Sequence, residues 1–385
     1  MELGISLYPE KESFEEIVNY IKLASKFGFK KIFTSVFSVQ GTKEELIVYF
    51  HELCNIAHEN NMQVCADVNA QIFNKFEAKE TDLSVFKKIG FDELRMDFNF
   101  GDERDISLIN NKENIVIYFN ASFVDMGKNL LKIDSSIKLN LCHNFYPERY
   151  TGTPKYKYKQ LNETWKQYKN VKIASFITSN VQGAHGPWPV YDGYPTIEDH
   201  RGIAVSDQIR DMIAMNTDVV YFGNAFASEE ELKEASDSLF YFENDCESEF
   251  EKIVRKILPN IGNKKYVLSI CEESGILDIE KEILYNYKKH CDLGDSSEYM
   301  IRSRMTRTIY GKNNINFRRA EVPYFKKGDI LIVNDNLKHY AGEVQICLKE
   351  MANDGQRNLV GRLDEKELGF IELIEPGDYF IFNKK

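Results

Sequence analysis

Short apolar segments alternate with amphipathic segments along the first 240 residues. Eight of the apolar segments have the length and composition of buried β-strands, and most of the intervals between them show helical periodicity. The predicted strands are Leu3–Leu7, Lys31–Ser35, Met62–Val68, Glu93–Asp97, Ile115–Asn120, Lys138–His143, Lys172–Ile177 and Asp218–Phe222. Strands that alternate with helices predict a parallel sheet, and eight such units are the number that closes a (β/α)₈ barrel.

Local signals support two of the intervening helices. One has a single apolar face and ends before Gly28, a plausible C-cap, and the other starts where Thr42 and Glu45 have capping-box spacing and extends to Asn61. The apolar face of the first helix contains Phe14, Ile17, Val18, Ile21 and Ala24. An open, doubly wound sheet is the alternative topology. It is disfavoured because no GxGxxG motif follows the first predicted strand.

The pattern changes after about residue 264. Helical character extends from Ser228 to about Leu258, and beyond it short strands are separated by glycine and aspartate. These strands are Tyr266–Ile270, Tyr299–Thr306, Asp329–Val333, Gly342–Cys347, Arg357–Leu363 and Asp378–Phe382. With a boundary near residues 243–264, we predict an α/β chain: a (β/α)₈ TIM barrel over 1–245 and a small β-rich domain over 262–385.

Composition and charge narrow the class of protein. The 385 residues are 43% hydrophobic and carry a net charge of −11, which suits packed domains and disfavours nucleic acid as a partner. The N-terminal residues lack a signal-peptide pattern, and no segment reaches the roughly 18 apolar residues of a membrane helix. Seven scattered cysteines without a CxxC pair indicate reduced thiols. We therefore expect a cytoplasmic protein that does not contact the membrane.

Polar side chains follow most of the eight predicted barrel strands. The carboxyl ends of barrel strands and the loops after them carry the active sites of this fold, so these residues predict a site. The strand-end candidates are Tyr8, Asp67, Asp97, Asn120, His143, Asn144 and Asn224, and the later loops add Arg149, Trp188, Glu198, His200 and Arg201. Taken singly, several of them have an alternative interpretation as helix caps or turn residues.

The residue types among these candidates suit an anionic carbohydrate. Hydrolysis of a glycosidic bond usually needs two carboxyl groups, for which Asp67, Asp97 and Glu198 are available. Aromatic rings pack on sugars, and arginines bind phosphate or carboxylate through paired hydrogen bonds. His143 has no partner at metal-ligand spacing, so we expect neither a metal nor a cofactor.

Several longer motifs resemble one bacterial family. They are CHNFYPERYTG (142–152), GPWPV (186–190), TIEDHR (196–201), GNAFASEEEL (223–232) and SEYMIRSR (297–304). Together with the chain's opening and closing segments, they are similar to the 6-phospho-N-acetylmuramidases of peptidoglycan recycling. The resemblance implies a TIM barrel followed by a cyclophilin-like β domain. It also implies hydrolysis of N-acetylmuramic acid 6-phosphate joined β-1,4 to N-acetylglucosamine.

The positions of the candidate residues on the predicted barrel indicate their roles. Asp97 and Glu198 are the expected catalytic pair, on opposite sides of the barrel mouth, with Asp67 as the substitute. The predicted substrate-binding residues are Tyr8, Asn120, His143, Asn144, Arg149, Trp188, His200, Arg201, Asn224 and Arg304. Three mechanisms remain open: inversion with a carboxylate as the base for water, retention with a carboxylate nucleophile, and attack by the 2-acetamido group of the substrate. The alternative function is a non-catalytic sugar-phosphate-binding or surface interaction protein.

Overall fold

The computed structural model describes residues 1–36, 39–122, 124–133, 136–239, 264–311, 314–318, 320 and 322–385. The chain divides into two units, Met1–Leu239 and Phe240–Lys385. The predicted boundary, near residues 243–264, lies outside the described residues except for Lys264. The predicted helical character beyond residue 239 also lies outside them.

Eight parallel strands form a closed barrel in the first unit, in the order in which they occur along the chain. They are β1 (Glu2–Leu7), β2 (Lys31–Ser35), β3 (Gln63–Val68), β4 (Glu93–Met96), β5 (Val116–Asn120), β6 (Leu139–Cys142), β7 (Val171–Ile177) and β8 (Val219–Phe222). The barrel closes where β1 pairs with β8, with Gly4 opposite Tyr221. The predicted (β/α)₈ barrel is confirmed.

Helices connect the barrel strands. They are α1 (Phe14–Lys26), α2 (Lys43–Glu59), α3 (Ala70–Lys75), α4 (Ser84–Ile89), α5 (Glu103–Ile109), α6 (Val124–Ile133), α7 (Lys155–Lys166), α8 (Val205–Ala214) and α9 (Glu229–Asp237). The predicted capping box starts α2: the Glu45 amide donates to Thr42 Oγ1 over 3.2 Å, and the Thr42 amide donates to Glu45 Oε2 over 2.8 Å. Gly28 follows the C-cap of α1 with a φ of +81°, a conformation that favours glycine.

Side chains fill the barrel interior in layers. At the amino ends of the strands, Lys31 Nζ lies 2.5 Å from Glu93 Oε1, and both side chains are almost fully buried. The next layer is mainly aromatic and includes Phe33, Tyr118 and Tyr221. Gly4 makes room for this layer, because a Cβ atom there would lie 2.4 Å from Tyr221 Cδ1. Because the interior is packed, a ligand has space only at the carboxyl ends of the strands.

The second unit is mostly β-sheet, as predicted. Its strands are β9 (Lys265–Glu272), β10 (His290–Cys291), β11 (Met300–Ser303), β12 (Tyr324–Phe325), β13 (Asp329–Val333), β14 (Val344–Cys347), β15 (Met351–Ala352), β16 (Arg357–Leu363) and β17 (Tyr379–Lys384), with helices α10 (Asp278–Tyr285) and α11 (Thr306–Tyr310). Seven strands form one sheet in the order β10-β17-β9-β16-β13-β14-β11, and β12 pairs with β15. The predicted strand ending at Thr306 stops at Ser303, because Thr306 begins α11. Among the described residues of the whole chain, none of the helices is long and apolar enough to cross a membrane.

Candidate active site

One guanidinium group links two acidic side chains at the carboxyl ends of β3 and β4. Arg95 Nη1 donates to Asp67 Oδ1 over 2.9 Å and to Asp97 Oδ1 over 2.7 Å. Asp67 and Arg95 are register partners on adjacent strands, and Asp97 follows Arg95 by two residues on the same face. Strand alternation thus accounts for the contact between Arg95 and Asp97.

The two carboxyl groups have different surroundings. The side chain of Asp67 is 7% exposed, whereas that of Asp97 is 48% exposed. Burial raises the pKa of Asp67, and the neighbouring Arg95 only partly offsets this effect. Burial alone would lower the pKa of Arg95, but the negative charge of Asp67 raises it overall. The site thus holds a cation, a carboxyl group shifted toward its protonated form and a second, more exposed carboxyl group.

Two asparagines extend this arrangement along the barrel mouth. Arg95 Nη2 donates to Asn144 Oδ1, and Asn120 Nδ2 donates to the same oxygen over 3.1 Å. Asn120 Oδ1 accepts from the Ser122 amide at 2.8 Å. With its oxygen engaged, Asn144 keeps its amide nitrogen as a donor at the site.

A cavity of about 250 Å³ opens above these groups. Three phenylalanines form its aromatic side: the ring centroids of Phe33 and Phe176 are 5.0 Å apart, and those of Phe145 and Phe176 are 5.1 Å apart. Trp188 is 43% exposed, and its ring centroid lies 6.0 Å from that of Phe145. The lining residues are Phe33, Asp67, Asn69, Arg95, Asp97, His143, Asn144, Phe145, Phe176 and Trp188. Pockets for drug-sized ligands reach roughly 300–1,000 Å³, so this cavity suits one sugar ring.

Glu198 is not among the residues that line this cavity. Its Oε1 accepts from the Tyr150 amide at 2.7 Å and from Arg201 Nε at 2.8 Å, and its Oε2 accepts from the Gly152 amide at 2.8 Å. A Cβ atom on Gly152 would lie 2.6 Å from Glu198 Oε2, so this contact needs glycine. Burial raises the pKa of Glu198, but these hydrogen bonds, with Arg201 first among them, lower it overall. The structure does not bring Glu198 and Asp97 together as the expected opposed pair.

Arg201 uses all five of its N–H groups within the protein. Besides Glu198, it donates to four backbone carbonyl oxygens of neighbouring loop segments. These oxygens belong to Tyr146 (2.6 Å), Glu148 (3.0 Å), Asp192 (2.8 Å) and Gly193 (2.9 Å). A guanidinium group has five N–H donors, so Arg201 has none left for the phosphate expected from the sequence.

Three other predicted site residues are buried and hydrogen-bonded elsewhere. Tyr8 donates its hydroxyl hydrogen to the carbonyl oxygen of Gly223 over 2.6 Å. His200 Nε2 lies 3.2 Å from Asp211 Oδ2, and burial lowers the pKa of His200. Asn224 Nδ2 donates to the carbonyl oxygen of Ser179 over 3.0 Å. These contacts stabilise the loops of the barrel mouth, and none of the three side chains lines the cavity.

His143 lines the cavity, and a hydrogen bond to a buried asparagine fixes its ring. Its Nε2 lies 2.8 Å from Asn162 Oδ1, and burial lowers the pKa of His143 to about 4. His143 is therefore neutral at physiological pH. Asn162 in turn donates to the carbonyl oxygen of Met215 over 2.7 Å, which fixes the orientation of the pair.

Neither of the two remaining predicted arginines is among the residues that line this cavity. Arg149 lines a second, polar cavity of about 370 Å³, together with Thr178, Asn180 and Asn224. Its Nε lies 2.9 Å from Asp192 Oδ1, and 61% of its side chain is exposed. Arg304 belongs to the second unit, where its Nη1 lies 2.9 Å from Asp295 Oδ2.

The sequence prediction omitted the centre and the aromatic side of the site. Arg95 was not among the predicted site residues, although its register partner Asp67 was. Phe33 and Phe176 are interior positions of β2 and β7, and Phe145 lies inside the CHNFYPERYTG motif. Strand alternation was the available signal for the first two.

Two family models match most of the chain. The model described as "6-phospho-N-acetylmuramidase, N-terminal" matches residues 3–237, and the model described as "6-phospho-N-acetylmuramidase, C-terminal" matches residues 266–383. The chain belongs to the 6-phospho-N-acetylmuramidase family. It is therefore a glycosidase, and the alternative of a non-catalytic binding protein is set aside.

Solved structures agree with this assignment. An uncharacterized B. cereus protein is 31% identical to the chain, covers 99% of both chains and superposes with a TM-score of 0.79. A conserved Enterococcus faecalis protein of unknown function is 22% identical, covers 100% of this chain and 97% of its own, and has a TM-score of 0.62. The second likeness concerns the fold alone. No match was found among curated proteins.

Proposed function

We propose that this glycosidase hydrolyses the β-1,4 bond between N-acetylmuramic acid 6-phosphate and N-acetylglucosamine, within the cytoplasm and as part of peptidoglycan recycling. The family description names this class of substrate. The carboxyl pair of Asp67 and Asp97 in one sugar-sized cavity is the observation that carries the proposal. Glycoside hydrolysis needs two such groups with different protonation.

Asp67 acts as the general acid in this proposal. Its burial raises its pKa, and a raised pKa keeps a proton available for the leaving oxygen. Asp97 is the more exposed of the two and acts as the second catalytic carboxyl group. Arg95 holds both side chains in position and balances the negative charge of Asp97. Asp97 thus keeps a predicted catalytic role, while Asp67 replaces Glu198 as its partner.

The aromatic side of the cavity binds the apolar face of the muramic acid ring. Phe33, Phe145 and Phe176 pack against one another in the lining that also contains the two carboxyl groups. The half-exposed Trp188 provides a further ring surface at the rim, where the N-acetylglucosamine unit leaves. Asn144 donates a hydrogen bond to the sugar from the polar side. His143 and Asn120 act through their neighbours and do not exchange protons with the substrate.

Arg149 is our proposed ligand for an acidic substituent of the substrate. Arg201 has no donor left, and Arg95 is shared between two carboxyl groups. Arg149 is more exposed and has Asp192 as its described ion-pair partner. The role of Arg304, in the second unit, stays a prediction.

The direct test is incubation with the phosphorylated disaccharide, followed by chromatographic separation of the sugars. We expect equal amounts of N-acetylglucosamine and N-acetylmuramic acid 6-phosphate. The unphosphorylated disaccharide is the matched control and should react much more slowly. If neither disaccharide releases N-acetylglucosamine, the proposed substrate is wrong. Equal rates on both would remove the phosphate from the proposal.

A further inference from the structure

We infer that this enzyme uses no carboxylate nucleophile: the 2-acetamido group of its substrate attacks the anomeric carbon, with its methyl end packed against Phe33, Phe145 and Phe176. This inference rests on the proposed function, since it requires a 2-acetamido sugar in the cavity. It concerns the attacking group and the substrate substituent on which cleavage depends.

The position of Arg95 is the first argument. A carboxylate nucleophile and a general acid must flank the glycosidic bond, so that the anomeric carbon lies between them. The oxygens of Asp67 and Asp97 both lie within 2.9 Å of Arg95 Nη1, so that nitrogen bridges them. The two oxygens are therefore less than about 6 Å apart, closer than the roughly 6.5–9.5 Å of an inverting pair. Because Asp67 and Asp97 also lie at the ends of adjacent strands and bond to one guanidinium nitrogen, we take both carboxyl groups to face the sugar from the same side.

The cavity offers no further acidic residue that could act as a nucleophile or as a base for water. Within the described lining, Asp67 and Asp97 are the only acidic residues, and four of the others are aromatic. Glu198 lies outside this lining, with both oxygens bound to the loop and to Arg201. His143 is fixed by Asn162 and keeps its neutral form. The attacking atom must therefore come from the substrate.

The cavity provides what an attacking acetamido group needs. Its methyl group requires an apolar surface, which the three phenylalanine rings supply. Its N–H group requires an acceptor, and Asp97 polarises the amide by accepting this hydrogen bond. The partial negative charge on the carbonyl oxygen then rises, which makes that oxygen a better nucleophile. Asp67 remains free to act as the acid.

The reaction proceeds in two balanced steps. In the first, the acetamido oxygen forms a bond to the anomeric carbon while the bond to the leaving oxygen breaks. The electron pair goes to that oxygen, which takes a proton from Asp67 and departs as N-acetylglucosamine. In the second, Asp67 removes a proton from water, and the water oxygen attacks the anomeric carbon. The bond to the acetamido oxygen breaks, and the product keeps the β configuration.

A substrate series with fluorinated acetyl groups tests this inference. Aryl β-glycosides of N-acetylmuramic acid 6-phosphate would carry zero, one, two or three fluorines on the acetyl methyl group. Fluorine withdraws electrons from the carbonyl oxygen, so kcat should fall with each fluorine, by more than about tenfold across the series. A kcat independent of fluorination would overturn the inference. Failure to cleave the unfluorinated parent would instead count against the proposed function.

Product stereochemistry and adduct mass provide independent readouts on the wild-type enzyme. Proton NMR during turnover should show the β anomer of N-acetylmuramic acid 6-phosphate first, before it equilibrates. Intact-protein mass spectrometry of the quenched reaction should show unmodified enzyme. A first-formed α anomer would contradict the inference, and so would a covalent sugar adduct on Asp97 or Asp67. Either result leaves the identity of the substrate untouched.

Discussion

Glu198 and Arg201 form an ion pair of 2.8 Å that fastens the loop between β7 and α8 to the segment that follows β6. Removal of Arg201 would leave Glu198 and four carbonyl oxygens without their donor. We expect Arg201→Ala to lower the free energy of unfolding by about 3 kcal/mol, as measured by chemical denaturation. In the fraction that stays folded, kcat/KM should fall by the same factor for phosphorylated and unphosphorylated substrates. A selective loss with the phosphorylated substrate would restore the phosphate role of Arg201.

Arg149 is the matched arginine for that experiment, because its side chain is mostly exposed. Arg149→Ala should leave the free energy of unfolding within about 0.5 kcal/mol of the wild type. If Arg149 binds the phosphate, kcat/KM for the phosphorylated disaccharide should fall. The decrease should correspond to a loss of about 1.5–3 kcal/mol in transition-state stabilisation. The unphosphorylated disaccharide should be cleaved at the unchanged rate. A similar loss with both substrates would show that Arg149 supports the structure of its loop and does not bind the phosphate.

The ion pair between Lys31 and Glu93 stabilises the barrel at the amino ends of its strands, whereas the cavity lies at their carboxyl ends. Lys31→Met would leave a buried carboxylate without its partner, which costs about 3–5 kcal/mol of unfolding free energy. The double variant Lys31→Met/Glu93→Leu should recover most of that loss. The exposed pair of Lys26 and Glu229 is the control, since Lys26→Met should change stability by less than about 1 kcal/mol. A small effect of Lys31→Met would contradict the assigned role.

His143 makes stability depend on pH. Its folded-state pKa of about 4 is below the ordinary value near 6.5, so the unfolded state takes up a proton first as the pH falls. The stabilising contribution is complete above pH 6.5 and is lost as the pH falls toward 4. Between pH 7 and pH 5, the wild type should therefore lose about 2 kcal/mol more unfolding free energy than His143→Gln. Parallel losses in the two proteins would show that His143 does not cause the effect.

Strand positions could be predicted closely because barrel strands are buried on both faces. The segment Val219–Phe222, for example, is a continuous apolar run, and the structure places β8 there. Helix α10 was missed because it is short and lies among strands, where only tertiary packing distinguishes it. The capping box of Thr42 and Glu45 was predictable because it depends only on local spacing.

The site was predictable where strand geometry determines it. Asp67, Asp97 and Asn144 meet because the ends of parallel strands form one rim. Glu198 and Arg201 could not be placed, because the long loop that carries them is shaped by hydrogen bonds to segments distant in the sequence. A residue's position on such a loop does not show which way its side chain points.

The central claim, that Asp67 and Asp97 are the catalytic carboxyl groups, is tested most directly by the turnover of Asp67→Asn. Asparagine keeps the shape of the side chain and cannot supply a proton. On the phosphorylated disaccharide, kcat should fall by roughly 10²–10⁴-fold, with circular dichroism and the midpoint of thermal unfolding near those of the wild type. On an aryl glycoside whose leaving group needs no proton, the loss should be smaller, because only the role of Asp67 as the base for water is then missing. Near wild-type turnover of the disaccharide by folded Asp67→Asn would contradict the account.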